Sequence, residues 1–193
     1  LYARAAGSRA LRVRGVAVHI GSQITALAPF RAAYARLAEL VRALRAEGLP
    51  VERIDCGGGL GIPYRNEPAP SAAAFAHLLR ETLGPLGATL MLEPGRWLVG
   101  PAGLLLARVV LEKHGTSRRV VILDAAMNDL IRPALYEAWH AIVPVAAARW
   151  HAPATPADVV GPVCESGDTF ATARMLPALP PGELVAILDT GAY

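Results

Sequence analysis

The sequence predicts an α/β fold followed by an all-β one. A strand, loop and helix pattern recurs through the first hundred residues, each strand ending on a polar side chain. After Pro101 the texture changes to β-rich runs without helical periodicity. The polar strand ends are His19, Asp55 and Glu93, spaced by 36 and 38 residues, the rhythm of a βα barrel. A closed barrel needs about eight such units over roughly 250 residues, and this sequence supplies three. Residues 1–101 are therefore expected to form a partial (β/α)8 barrel and residues 102–193 part of a separate β domain, with Gly100 and Pro101 near the junction.

Residues 15–20 (GVAVHI) are apolar without polar alternation, as a parallel strand covered on both faces should be. Leu27, Phe30, Tyr34, Leu37, Val41 and Leu44 are spaced by threes and fours, which predicts one face of a helix that stops near Gly48. A second strand at 51–54 leads into a glycine loop. The next helix takes Ser71 as its N-cap, turns Phe75, Leu78, Leu79 and Leu83 inward, and ends at Gly84 and Pro85. A third strand at 89–92 reaches Glu93. Residues 97–111, the longest apolar stretch, are broken by Gly100, Pro101, Gly103 and Arg108 and fall short of the roughly 20 residues of a spanning helix. They are expected to be buried strand. Further strands are expected at 103–111, 120–123, 142–145, 159–163 and 184–188.

With 53% apolar residues the chain is an ordinary globular one. Its net charge of +3 is 19 basic side chains, all arginine except Lys113, against 16 acidic ones, and the basic residues are scattered, which argues against nucleic acid as a partner. No secretory leader opens the sequence, and Cys56 and Cys164 make no paired framework, so a reducing, cytoplasmic setting is expected, with no membrane partner. No metal-ligand pattern is present. The chain starts on Leu1 and stops at Tyr193 directly after a strand-like run, and both ends are expected to be cut from something longer.

In parallel α/β architectures chemistry gathers at the carboxyl ends of the strands. His19 stands there in HIGSQ beside Gly21 and Ser22, and the bland alternative is a core histidine. Gly57, Gly58, Gly59 and Gly61 let backbone amides approach an anion closely, and the alternative is a tight turn. Glu93 and Arg96 in EPGR place a carboxylate and a guanidinium on one stiffened loop, where a structural salt bridge is the rival.

HIGSQ, DCGGGLG and EPGR, in this order, resemble the fold-type III decarboxylases that depend on pyridoxal 5'-phosphate (PLP), whose barrel is like that of alanine racemase. The resemblance implies that the three βα units are about the last three of that barrel, followed by part of a β-sandwich or barrel domain. It gives His19 the role of stacking on the pyridine ring, a catalytic as well as cofactor-binding position. Ser22, Gly57, Gly58 and Gly59 fall to the phosphate, Glu93 to the pyridine nitrogen, and Arg96 to the phosphate and substrate side. DAAMNDLIRPALY (124–136) and GPVCESGD (161–168) resemble the diaminopimelate branch of that family. That implies substrate contacts from Arg132 and Tyr136, a proton donor in Cys164, and a ligand for the distal ammonium in Glu165. Cys164 and Glu165 would act across the interface of a homodimer. Otherwise Cys164 is a buried free thiol and Glu165 a solvated carboxylate. Tyr193 matches a tyrosine placed at the phosphate.

The implied activity is decarboxylation of meso-2,6-diaminopimelate to L-lysine, the last step of lysine biosynthesis. The lysine to which that family attaches its cofactor sits on an early barrel strand that these 193 residues do not contain, and Lys113 in LEKHG, flanked by Glu112 and His114, is expected to be an exposed charge. The chain alone is thus expected to be inactive. Rival readings are a sister decarboxylase acting on ornithine, arginine or carboxynorspermidine, which the CES triplet opposes because the ornithine branch has Asp after Cys. A non-catalytic homologue binding a regulatory partner is opposed by His19, Glu93, Arg96 and Cys164 occurring together. Alanine racemase pairs the pyridine nitrogen with arginine, where Glu93 is acidic.

Overall fold

Apolar side chains at helical spacing and short apolar runs at strand spacing sort the chain into two bodies, each with its own core. The computed structural model describes all 193 residues, the first body comprising 1–63 and 67–98 and the second 64–66 and 99–193. The first contains α1 (Tyr2–Ala6), β1 (Gly15–Ala17), α2 (Leu27–Ala46), β2 (Arg53–Asp55), α3 (Ala72–Thr82) and β3 (Thr89–Met91), with α4 (Gly95–Val99) at its end. Its three strands are parallel in the order β1-β2-β3, and Val16, Ile54 and Leu90 stand in one row across them.

The helical face expected from the spacing is the face that is buried. Phe30, Tyr34, Leu37, Val41 and Leu44 of α2 join Phe75, Leu78 and Leu79 of α3 over Val16 and Ile54, while Leu27, on the first turn, is only half-buried. Phe30 meets Phe75 edge-on with ring centroids 5.0 Å apart, a favoured aromatic geometry. The buried Tyr34 hydroxyl donates to the Cys56 carbonyl at 3.1 Å, tying α2 to the end of β2. Burial pushes both the Tyr34 phenol and the Cys56 thiol up, the latter to about 11. Ser71 caps α3 as expected, its Oγ accepting from the Ala74 amide at 3.1 Å. The strands are shorter than their apolar runs, although pairing continues past β1, where the Val18 amide donates to Asp55 O at 3.0 Å.

The second body has β4 (Leu104–His114), β5 (Arg119–Leu123), α5 (Arg132–Tyr136), β6 (Ile142–Pro144), β7 (Thr155–Val160), β8 (Thr169–Leu176) and β9 (Leu184–Leu188). They form one sheet in the order β6-β9-β4-β5-β7-β8, antiparallel throughout except for the β5–β7 pair. Val109, Val121, Leu123, Val159, Leu179, Val185 and Ile187 make its core.

Two expectations need correction here. Residues 97–111 are not one buried strand: Trp97, Leu98 and Val99 belong to α4, a single 3-10 turn covers Gly100–Ala102, and β4 starts only at Leu104. Its run then alternates, with Ala107 and Val109 inside while Leu104, Leu106 and Val110 are 57%, 53% and 53% exposed. The sequence shows continuous apolarity, whereas this sheet has its core on one face of the strand. Strand β8 was not expected at all. Its period-two signal is broken at Ala173, whose φ of 47° puts it in the left-handed region, where the pairing with β7 shifts register. Asp158 holds that irregularity by accepting from the Ala173 amide at 2.8 Å.

At the far end of β4 lies a buried ion pair. Glu112 Oε1 accepts from Arg119 Nε at 2.6 Å, Glu112 Oε2 accepts from the Leu179 amide at 2.6 Å, and Arg119 also donates to the carbonyls of Thr155, Leu176 and Pro177. Burial pushes the Glu112 carboxyl up, but the Arg119 hydrogen bond, the Leu179 amide and the charges of Arg119 and His114 outweigh it and leave the group below its ordinary value. A depressed carboxyl adds stability above its unfolded pKa and loses it as the pH falls through the folded one. Arg119→Met, which strands the carboxylate, is expected to cost about 3–5 kcal/mol. Glu112→Gln is expected to flatten the acid limb of the melting temperature against pH, and an acid limb identical to that of the parent would refute this role.

Candidate active site

All three motifs of the first body meet at the carboxyl edge of its parallel sheet, and glycine is what lets them. A Cβ on Gly57 would run into the Val18 carbonyl, one on Gly58 into the Glu93 carbonyl, and one on Gly59 into the Gly21 carbonyl. Gly57 and Gly59 also have φ of 68° and 92°, which other residues adopt only with strain. The backbone is laced through these contacts: Cys56 N donates to Met91 O at 2.9 Å, Glu93 N to Gly57 O at 3.0 Å, Ile24 N to Gly59 O at 2.9 Å and Gly61 N to Ile24 O at 3.1 Å. His19 and Glu93 thus flank the glycine run, the His19 Cα lying 3.2 Å from the Cβ position of Gly57 and the Glu93 Cβ 3.7 Å from that of Gly58.

His19, Ser22 and Glu93 are exposed at this edge, so His19 is no core histidine. Its ring is oriented by the Gly58 amide, which donates to Nδ1 at 3.4 Å. The Gly57 amide is held by Asp55 Oδ1 at 2.9 Å. These two amides are therefore engaged inside the loop, and the glycines there serve close approach. Arg96, on α4, is buried. Gln23, the last letter of HIGSQ, was not singled out, yet its side-chain amide clasps Ile62 from both sides, Nε2 donating to Ile62 O at 2.6 Å and Oε1 accepting from Ile62 N at 3.3 Å. Its φ of 57° gave no warning in the sequence.

The second body carries the other motifs. Arg132 and Tyr136 open and close α5; Arg132 is buried and Tyr136 is 69% exposed. Arg132 NH1 donates to the Tyr64 hydroxyl at 2.9 Å and faces His140 Nε2 at 3.1 Å. Cys164 and Glu165 are both exposed, which rules out the buried-thiol alternative for Cys164. Glu165 Oε1 accepts from the Gly167 amide at 3.0 Å and the Ser166 hydroxyl at 3.1 Å, and these bonds hold its carboxyl below the ordinary value. Tyr193 is exposed, just beyond Gly191, whose amide donates to Gly100 O at 3.0 Å. Lys113 is exposed on β4.

Asp168 joins the two motifs of this body. Its buried carboxylate accepts from the Met127 amide at 2.7 Å through Oδ1 and from the Val163 amide at 2.8 Å through Oδ2. The carboxylate packs so tightly on Gly161 that a Cβ there would overlap it. Thus one side chain sets the loop before α5 against the loop of Cys164. The free thiol at Cys56, by contrast, is buried at the end of β2.

No helix of the protein is long and apolar enough to cross a membrane, and no group of three or more His, Cys, Asp or Glu side chains is placed to hold a metal ion.

Comparison with known proteins converges on one family. Residues 17–191 match the family model described as pyridoxal-dependent decarboxylase, C-terminal sheet domain. The chain is 48% identical over 197 residues to a diaminopimelate decarboxylase from Pseudomonas aeruginosa and 44% identical over 194 residues to one from Zymomonas mobilis. Both alignments cover 100% of this chain but only 46% and 45% of those proteins, so the chain spans about half the length of the curated relatives it matches. The crystal structure of a Helicobacter pylori diaminopimelate decarboxylase complexed with L-lysine superposes with a TM-score of 0.93 at 40% identity, covering 100% of this chain and 47% of that one.

Asp168→Asn leaves one of the two amides facing an NH2 group with no acceptor and the other with only a neutral one, a loss of about 1–3 kcal/mol for a buried donor. Hydrogen exchange at the Met127 and Val163 amides is expected to accelerate together, and exchange unchanged at both would show that the carboxylate does not set the loop.

Proposed function

Because the chain belongs to the pyridoxal-dependent decarboxylase family, we propose that it is the second half of a diaminopimelate decarboxylase, which converts meso-2,6-diaminopimelate to L-lysine. The observation that carries this reading is the glycine-laced edge of the parallel sheet, where an imidazole, a hydroxyl and a carboxylate stand exposed around one loop. That set fits a flat heterocycle with a basic nitrogen and a phosphate. Once bound, PLP supplies the electron sink that decarboxylation needs.

His19 offers its ring face to the cofactor, held in place through Nδ1 by Gly58. Glu93 keeps the proton on the pyridine nitrogen by charge and hydrogen bonding. Ser22 and the glycine loop receive the phosphate, together with Tyr193 and the fork of donors on Arg96; Gly57 and Gly58, whose amides are bonded to Asp55 and His19, serve there by letting the chains come close. Arg132 and Tyr136 bind substrate, and so does Arg96, jointly with its phosphate role. Glu165, already anionic, takes the distal ammonium, and Cys164 delivers the proton that replaces the lost carboxyl group. Cys164 and Glu165 act in the site of a second copy, which makes the enzyme a homodimer.

The test is carbon dioxide release by the full-length protein loaded with PLP. Turnover of meso-diaminopimelate with little or none of ornithine or arginine is expected, and the reverse preference would overturn the substrate assignment. Glu165→Gln is expected to lower kcat/KM for diaminopimelate by about 10- to 150-fold, since one charge-assisted hydrogen bond is lost, without weakening PLP binding. An unchanged kcat/KM would remove Glu165 from the site.

Lys113 is the one lysine within these 193 residues, and imine formation there or at the amino terminus is expected to be nonspecific. The chain expressed alone is therefore expected to release no carbon dioxide. Stoichiometric pyridoxyl-Lys113 after borohydride reduction, with release that Lys113→Ala abolishes, would show this half to be an enzyme by itself.

A further inference from the structure

We infer that Gln23 is the positioning residue that holds the Ser22 hydroxyl where the phosphate of the cofactor binds. The inference rests on the decarboxylase reading for its ligand, while the hydrogen bonds that carry it stand without that reading.

The backbone of loop 21–25 pairs with the glycine loop at Ile24, which forms a parallel bridge with Leu60. There the Ile24 amide donates to Gly59 O at 2.9 Å and the Gly61 amide to Ile24 O at 3.1 Å. Gln23 extends that bridge with its side chain. Nε2 donates to Ile62 O at 2.6 Å and Oε1 accepts from the Ile62 amide at 3.3 Å, so one primary amide meets both main-chain groups of Ile62 as a neighbouring strand would. A main-chain N–H only donates and a carbonyl only accepts, which fixes the end of the Gln23 amide that faces each. Ile62 is buried and Gln23 half-buried, so neither main-chain group has water as an equal substitute.

Ser22 sits between two anchors. On one side Gly21 packs against Gly59 so closely that a Cβ on Gly59 would lie 2.1 Å from the Gly21 carbonyl oxygen. On the other side is the clasp of Gln23 on Ile62. Ser22 itself is exposed, so its hydroxyl is offered to a ligand from a loop held before and after it. The backbone of Gln23 has φ of 57°, a left-handed conformation that disfavours any residue with a Cβ. Glycine would suit that turn better, so the turn does not account for a glutamine here, whereas the two bonds of its amide do. Without the clasp, ordering of Ser22 would fall to the moment of binding and lower the affinity.

Two substitutions in the full-length protein separate the amide from the turn. Gln23→Gly suits the left-handed backbone and removes the clasp, whereas Gln23→Met keeps the length of the side chain and removes both bonds. Each is expected to raise the Kd of PLP for the cofactor-free protein, measured by fluorescence titration, by roughly tenfold. The Kd of pyridoxal, which lacks the phosphate, should move far less, and in a Ser22→Ala background the same substitutions should add little to the Kd of PLP, because the hydroxyl they misplace is gone. A Kd of PLP unmoved by both variants, restored by Gln23→Gly, raised equally for pyridoxal, or raised equally without the Ser22 hydroxyl would overturn the inference. Hydrogen exchange gives a readout that needs no cofactor: an Ile62 amide that exchanges slowly in the parent and fast in both variants supports the clasp, and equal exchange in all three refutes it. A parent that protects Ile62 yet binds no PLP overturns the decarboxylase reading and, with it, the ligand assigned to Ser22, while leaving the clasp itself standing.

Discussion

Between the three parallel strands of the first body there is no room for a side chain at their carboxyl ends. The carbonyls of Val18, Glu93 and Gly21 each occupy the place that a Cβ would take on Gly57, Gly58 and Gly59. Because the backbones come this close, the loops of HIGSQ, DCGGGLG and EPGR pair with one another almost as strands do, and the polar side chains beyond them are carried on a rigid edge. His19 gains its ring orientation from an amide of the same glycine run, and Glu93 its main-chain anchor from Gly57. An alanine at any of the three would push apart the strand ends that present both residues.

The second body solves a similar problem with charge. Part of its chain lies in loops and irregular strand ends, which the sheet alone would hold loosely, and polar side chains tie them, Asp168 from a buried position. Asp168 gathers two amides from separate motifs, Asp158 pins the irregularity of β8, and Glu112 with Arg119 locks the far end of β4 to the segment around Leu179. Such ties fix position more than they add stability, since desolvation offsets much of their Coulombic gain. The exposure of Cys164 and Glu165 on an otherwise anchored loop suits residues proposed to act on a neighbouring copy.

Much of this was legible in the sequence because periodicity and turn chemistry are local. The buried face of α2, the Ser71 cap and strand β9 follow from residue spacing alone, and the glycine run announces a close approach even before its partners are known. What the sequence hid depends on distant partners. The outward face of β4 reads as core because Leu104, Leu106 and Val110 are as apolar as their buried neighbours, and only the sheet decides which side is covered. Strand β8 was masked by the left-handed Ala173. Gln23, Asp168, Tyr64 and His140 matter through bonds to residues 5 to 68 positions away, and no spacing rule reaches that far.

The dependence of the proposed cofactor site on this edge can be read most directly at one atom. Nitrogen-15 NMR of the full-length protein loaded with ring-labelled PLP reports whether the pyridine nitrogen carries a proton. With Glu93 held beside the glycine run, the nitrogen is expected to be protonated in the parent and to lose that proton in Glu93→Gln. An unprotonated nitrogen in the parent, or a protonated one indifferent to the substitution, would contradict the placement of the cofactor at the carboxyl edge of β1, β2 and β3.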